Sequence, residues 1–223
     1  MRTKLFLLSA VFIILFTYFS YTVAKEKWTQ IDFDTTVKLQ DNISRKFDEY
    51  FSYFSLAGSV EITIGFCIVM AFLSLSRLKF LPFLGWLIII PATLAEIFGK
   101  LVLFHPAPPN FFHRSIIAAD FPSFYVHTDF SFPSGHMTRT IFIITIFISM
   151  VIFSSKNLLL KLISGCILIF LAILMGMTRI YLGEHWLSDV LGGVALGAGM
   201  GFFASGLILK PRKANIAADA RGR

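Results

Sequence analysis

The chain has 223 residues, of which 56% are hydrophobic and 15% charged, against about 25% charged in an ordinary soluble domain. That balance excludes a soluble globular protein, because several apolar runs reach the ~20 residues that cross a bilayer as a helix. The net charge of +7 does not point to nucleic acid: the basic residues gather at chain ends and short joins, and no basic stripe carries interleaved aromatics.

Six spans are predicted, over about 5–23, 58–76, 80–104, 138–155, 159–180 and 187–209, giving an all-α integral membrane protein in which residues 1–223 form one domain. The first span also has features of a signal peptide, with Arg2 and Lys4 ahead of an apolar core and Thr22 and Ala24 before a cleavage point. Its core is long for that role. In the segment 24–57, Ile43, Phe47, Tyr50, Phe51 and Phe54 recur at helical spacing, which predicts an amphipathic helix lying at the membrane interface. Cys67 and Cys166 fall inside apolar runs and read as small buried packing residues. In the sixth span Gly193, Gly197 and Gly201 stand four apart, a stripe that lets helices approach closely.

The basic residues orient the set. Arg2 and Lys4 precede the first span, Arg77 and Lys79 join the second to the third, Lys156 and Lys161 bracket the join of the fourth and fifth, and Lys210, Arg212, Lys213, Arg221 and Arg223 follow the sixth. By the positive-inside rule these are cytoplasmic, as are both termini, in a plasma or inner membrane. Segments 24–57, 105–137 and 181–186 then lie outside.

Against this apolar background a few polar residues collect at one membrane face: Lys100, Ser134, Gly135, His136, Arg179, His185 and Asp189. Taken singly, a cation at a helix end is a headgroup anchor, a histidine a polar tip and "PSG" a turn. Together they match the needs of phosphoryl transfer. Lys100 and Arg179 suit a phosphate, one as a point charge and the other as a planar fork. Ser134 can donate a hydrogen bond, and Gly135 lets a helix N-terminus present its N–H groups closely. His185 and Asp189 stand four apart and share a helical face. The carboxylate can hold one imidazole nitrogen and leave the other as nucleophile. His136 is a second imidazole, available as general acid.

"PSGH" at 133–136 and "RIYLGEHWLSD" at 179–189 resemble two signature motifs of the type-2 phosphatidic acid phosphatase superfamily, the membrane lipid phosphate phosphatases distantly related to vanadium haloperoxidases. The resemblance covers the second to sixth spans. It implies a six-helix bundle and a phosphohistidine mechanism without metal or cofactor. His185 would attack phosphorus, Asp189 would orient it and His136 would protonate the leaving oxygen. Lys100, Ser134, Gly135 and Arg179 would hold the phosphate. The family's first motif, K-x6-R-P, is incomplete here: Lys100 is followed by Ala107 and Pro108, so its arginine is missing. Arg114, His105 and His113 are candidate stand-ins. Arg114 is the only permanent cation in "HPAPPNFFHR" and so the preferred phosphate ligand among them.

The expected activity is hydrolysis of a lipid phosphate or diphosphate, with undecaprenyl diphosphate, phosphatidic acid, phosphatidylglycerophosphate and lipid A 1-phosphate as substrate classes. A phosphotransferase would share the phosphohistidine step and differ in acceptor. An inactive lipid-binding or transport protein on the same scaffold is the reading that Ala107 supports. The expected partners are the lipid substrate and the surrounding membrane lipids.

Overall fold

A computed structural model describes residues 1–117, 129–154 and 157–209. In chain order the helices are α1 (Arg2–Ala24), α2 (Thr29–Asn42), α3 (Asp48–Ser55), α4 (Val60–Leu75), α5 (Phe80–Leu87), α6 (Ile89–Leu103), α7 (Gly135–Ile152), α8 (Leu158–Tyr181) and α9 (Leu187–Ile208). Among the described residues six helical stretches are long and apolar enough to cross a membrane, with α5 and α6 together making one of them. The one β pairing among the described residues is an isolated antiparallel bridge of Pro106 with Phe130.

Two departures from the sequence reading have local causes. The third span breaks at Ile88 because Pro91 has no N–H to bond the carbonyl of Leu87, and its ring crowds that carbonyl. The segment after the first span carries two helices rather than one. α2 ends at Asn42, Ile43 is extended, and Ser44 accepts from the Lys46 N–H to start a short turn into α3. Of the apolar residues expected to share a face there, Phe47 stacks on Phe51 and Phe51 meets the Tyr181 ring edge-on, while Tyr50 is exposed.

α7 and α9 form the centre. A Cβ at Gly193 would collide with the Ser134 carbonyl, one at Gly197 with the Thr138 carbonyl, and one at Gly201 with Thr145 and the Phe142 carbonyl. The glycine stripe therefore brings the two backbones together, as its spacing suggested. α1 lies along α9, with Phe6 on Phe203 and Phe12 on Phe202. On the other flank Gly85 of α5 meets Ala204 and Ile208, and Cys67, Trp86, Ile89, Phe142, Ile146 and Ala204 share a buried cluster.

α8 is different. Its buried residues all lie within Met175–Tyr181, and the rest of the helix turns outward. Cys166 lies on that outward part and is exposed, so only Cys67 is the buried packing residue that both were expected to be. Arg2, at the start of α1, bonds the carbonyl of Leu209 at the end of α9. Lys156 and the basic residues from Lys210 onward fall outside the described residues.

Candidate active site

The end of α6, the start of α7, the end of α8 and the start of α9 meet at one face of the bundle, held by the segments between them. After α6, Phe104 takes a left-handed conformation (φ 50°) and turns the chain back. The residue before a proline avoids the helical region, so His105 leaves the helix ahead of Pro106. Ser131 N–H then bonds the His105 carbonyl (2.9 Å), and Ala107 N–H bonds Asp129 (3.0 Å). This ties the loop to the strip leading into "PSGH". Ser134 N–H bonds the Asp189 carbonyl (3.0 Å), fixing the start of α7 on the first turn of α9.

Between α8 and α9 the chain reverses at Gly183 (φ 68°), where a side chain would be strained and a Cβ would strike the Phe112 carbonyl. The reversal presents His185, whose N–H bonds the Arg179 carbonyl (3.2 Å). His185 Nδ1 faces Asp189 Oδ2 at 3.4 Å, and the same oxygen accepts the Trp186 N–H at 2.9 Å. The carboxylate thus caps α9 and orients the imidazole together. Burial is the main cause that lowers the His185 pKa, to about 4. The Asp189 hydrogen bond and charge work against that, while the charges of Arg179 and Lys100 add to it. The ring is accordingly a free base across the neutral range.

His136 sits on the first turn of α7, and Gly58 lets the turn before α4 approach it, since a Cβ there would lie 3.1 Å from the imidazole carbon Cδ2. His136 lies within electrostatic reach of Arg179, Arg139, His185 and Lys100. Ser134 is the N-cap residue but does not cap with its side chain. Its buried hydroxyl oxygen has no hydrogen-bond partner among the described residues. Arg179 is buried, its guanidinium on Ser55 of α3 and on Glu184.

Lys100 is buried and paired with Glu96, one turn earlier, at 3.1 Å; Glu96 also takes a bond from Arg139 at 2.5 Å. Both Glu96 and Arg139 are fully buried. A Cβ on Gly135 would overlap the Glu96 carboxylate, so here the motif glycine also makes room for an acid.

The stand-ins for the missing arginine separate. His113 is exposed. His105 turns to Asp189, its Nδ1 at 3.0 Å from Oδ1. Arg114 lies over the Tyr181 ring, 5.1 Å from its centroid, and bonds the Tyr181 hydroxyl at 3.3 Å, while that hydroxyl also bonds Asp48. Arg114 is thus engaged by Tyr181. Arg114→Ala is therefore expected to cost less than about tenfold in kcat on a short-chain soluble substrate. A drop of roughly 100-fold, the scale of losing one transition-state donor, partly restored by adding Ala107→Arg, would instead make it a phosphate ligand.

The profile of the PAP2 superfamily matches residues 80–213, more than half of the chain. The chain belongs to the PAP2 superfamily. Among curated proteins this PAP2 chain is similar to phosphatidylglycerophosphatase B of Bacillus subtilis (strain 168), 34% identical over 95 residues, which is 40% of the chain and 45% of that relative. The alignment therefore spans less than half of the relative's length. In fold it is similar to the transmembrane PAP2-type phosphatidylglycerolphosphate phosphatase of Bacillus subtilis, with a TM-score of 0.68 at 20% identity, covering 89% of this chain and 94% of that one. It is also similar to Aquifex aeolicus LpxE, with a TM-score of 0.54 at 23% identity, covering 78% and 94%. These two likenesses establish the six-span helical fold of the PAP2 chain.

The sequence reading missed Asp32, Glu96, Arg139, Ser55 and Glu184. Two of them carried a signal. Glu96 and Arg139 are ionisable residues inside predicted spans, which marks a residue as a site candidate by default. Glu96 also stands four residues before Lys100, the favourable order for a helical ion pair. Asp32, Ser55 and Glu184 lie in polar segments where nothing sets them apart.

Proposed function

We propose that this protein hydrolyses a lipid phosphate or diphosphate through a phosphohistidine intermediate. The observation that carries the reading is the His185–Asp189 pair: its Nδ1 is turned to the carboxylate, which leaves Nε2 as the nucleophile, beside two buried cations. In the first step Nε2 forms a bond to phosphorus while the phosphorus–oxygen bond to the lipid breaks. Protonated His136 gives its proton to the departing oxygen. In the second step water attacks phosphorus, the N–P bond breaks, His136 takes the water's proton, and inorganic phosphate leaves. The charge that builds on the equatorial oxygens is met by Lys100, Arg179, Ser134 Oγ and the N–H groups opening α7. Positioned cations do this work, so the chemistry calls for no metal.

The lipid class follows from the setting: a phosphate held at the membrane face, with its tail in the bilayer. Phosphatidylglycerophosphate stands first because a curated relative is named for it, followed by phosphatidic acid, undecaprenyl diphosphate and lipid A 1-phosphate. The site opens at the face opposite Arg2, Arg77, Lys79 and Lys161, so by the positive-inside rule it faces away from the cytoplasm.

Purified protein given a panel of these lipids should release inorganic phosphate, keep that activity in EDTA, and lose it to orthovanadate, which mimics five-coordinate phosphorus. No release from any lipid would leave a binding or transport protein. Loss in EDTA with recovery on a divalent ion would overturn the metal-free mechanism. Transfer of the phosphoryl group to an acceptor other than water would make it a phosphotransferase.

A further inference from the structure

Asp189 is shared. Its Oδ2 serves His185, and its Oδ1 lies 3.0 Å from His105 Nδ1. On its far side, His105 Nε2 faces Asp32 Oδ2 at 3.9 Å. Asp32 is fixed in turn: its two oxygens accept the Ser188 N–H and the Ser188 hydroxyl, each at 2.7 Å. The four groups form a line, Asp32–His105–Asp189–His185, that starts on α2 and ends at the nucleophile. We propose that His105 is a positioning residue for the His185–Asp189 pair, which by holding the second carboxylate oxygen sets how much of the Asp189 charge reaches His185. This rests on the reading of His185 as nucleophile.

The physical argument starts from the two nitrogens of His105. Each faces a carboxylate, and only the doubly protonated ring offers a donor to both. Burial pulls its pKa down, but the hydrogen bond and charge of Asp189 and the charges of Asp32 and, at longer range, Glu26 outweigh this and leave it raised. The edge of Phe132 completes its surroundings. His185 is faced by Asp189 from α9, Arg179 from α8, Lys100 from α6 and His136 from α7. With a cation on the other oxygen, Asp189 orients His185 without drawing a proton onto it. Without His105, the whole carboxylate charge bears on His185. Its proton affinity then rises, and a proton blocks the nucleophile at a higher pH.

The experiment uses the full-length protein in lipid nanodiscs. His105→Gln keeps a polar side chain and removes the charge; His105→Ala removes both. In either, the acidic limb of kcat/KM against pH should move upward by about one unit or more, the scale of one neighbouring charge. A purely structural role would lower the rate at every pH and leave the limb in place, and that result overturns the proposal. Should both variants fold poorly, 15N histidine spectra of the wild-type protein decide. A His105 ring that stays doubly protonated above the ordinary histidine range supports the proposal; a His105 ring that is neutral at pH 6 overturns it. Alkaline quenching of wild-type protein with labelled lipid separates the two levels. No base-stable, acid-labile phosphoenzyme means that the nucleophile reading itself fails. A phosphoenzyme with an unmoved limb means that only the role of His105 does.

Discussion

His185→Ala is expected to remove turnover by about 10⁴-fold or more while the bundle stays folded. The magnitude is that of deleting a nucleophile from a unit whose members act together. The fold should tolerate the change because His185 lies in the turn between α8 and α9, outside both hydrophobic clusters, and the turn is held by backbone bonds from Gly183, Glu184 and His185 to the last turn of α8. Asp189→Asn should be severe but less complete, since an amide oxygen can still accept the Trp186 N–H while losing the charge that steadies the imidazolium. The measurement is kcat on a soluble short-chain phosphate, with thermal unfolding to show that the protein is folded. A folded His185→Ala protein working near the wild-type rate would falsify the mechanism.

Glu96→Gln should strike both stability and activity. Glu96 sits between Lys100 and Arg139, all three buried. Removing one member of a buried ion pair strands the other, at a cost of about 3–5 kcal/mol; here two cations would lose their shared counter-charge at bilayer depth. Lys100 would also lose the group that holds it near the start of α7, so kcat should fall along with the folding free energy. Adding Arg139→Met removes one stranded charge and should recover a good part of the stability, but not the rate, because Lys100 still lacks the Glu96 carboxylate. Unfolding in mixed micelles and kcat on the same preparations read the two effects. A Glu96→Gln protein as stable and as fast as wild type would show that the trio does neither job.

Hydropathy made most of the fold legible. Spans expected at 159–180 and 187–209 are helices over Leu158–Tyr181 and Leu187–Ile208. The fourth was expected from 138 but begins at Gly135, because "PSG" reads as a turn and His136 as too polar for a span. The residues of "PSGH" and R-x5-H-x3-D gather at one face, "PSGH" at the start of α7 and the second motif across the reversal between α8 and α9. What sequence could not give is the pairing between distant segments. Arg139 with Glu96, and Asp32 with Ser188 and His105, join residues 43, 156 and 73 positions apart. Such pairs leave no period in the chain. Arg114 shows the same limit from the other side: its charge was visible, but the phenol that takes it up lies 67 residues away.

α8 has 24 residues, about 36 Å at 1.5 Å per residue, against a hydrocarbon thickness of about 30 Å. A helix longer than its bilayer tilts to fit. The buried residues of α8 lie in its final turns, where Arg179 sits, while its first turns are tied to α7 by Lys161 Nζ donating to the Ile152 carbonyl at 2.9 Å. Between these two ties the shaft is exposed, at Leu162, Ile163, Ile167, Ile169, Phe170 and Ile173. The lipid therefore bears on the shaft, while Arg179 and His185 are joined by a backbone bond at the buried end, a form of suspension that places the reaction geometry away from the part of the helix that meets the bilayer.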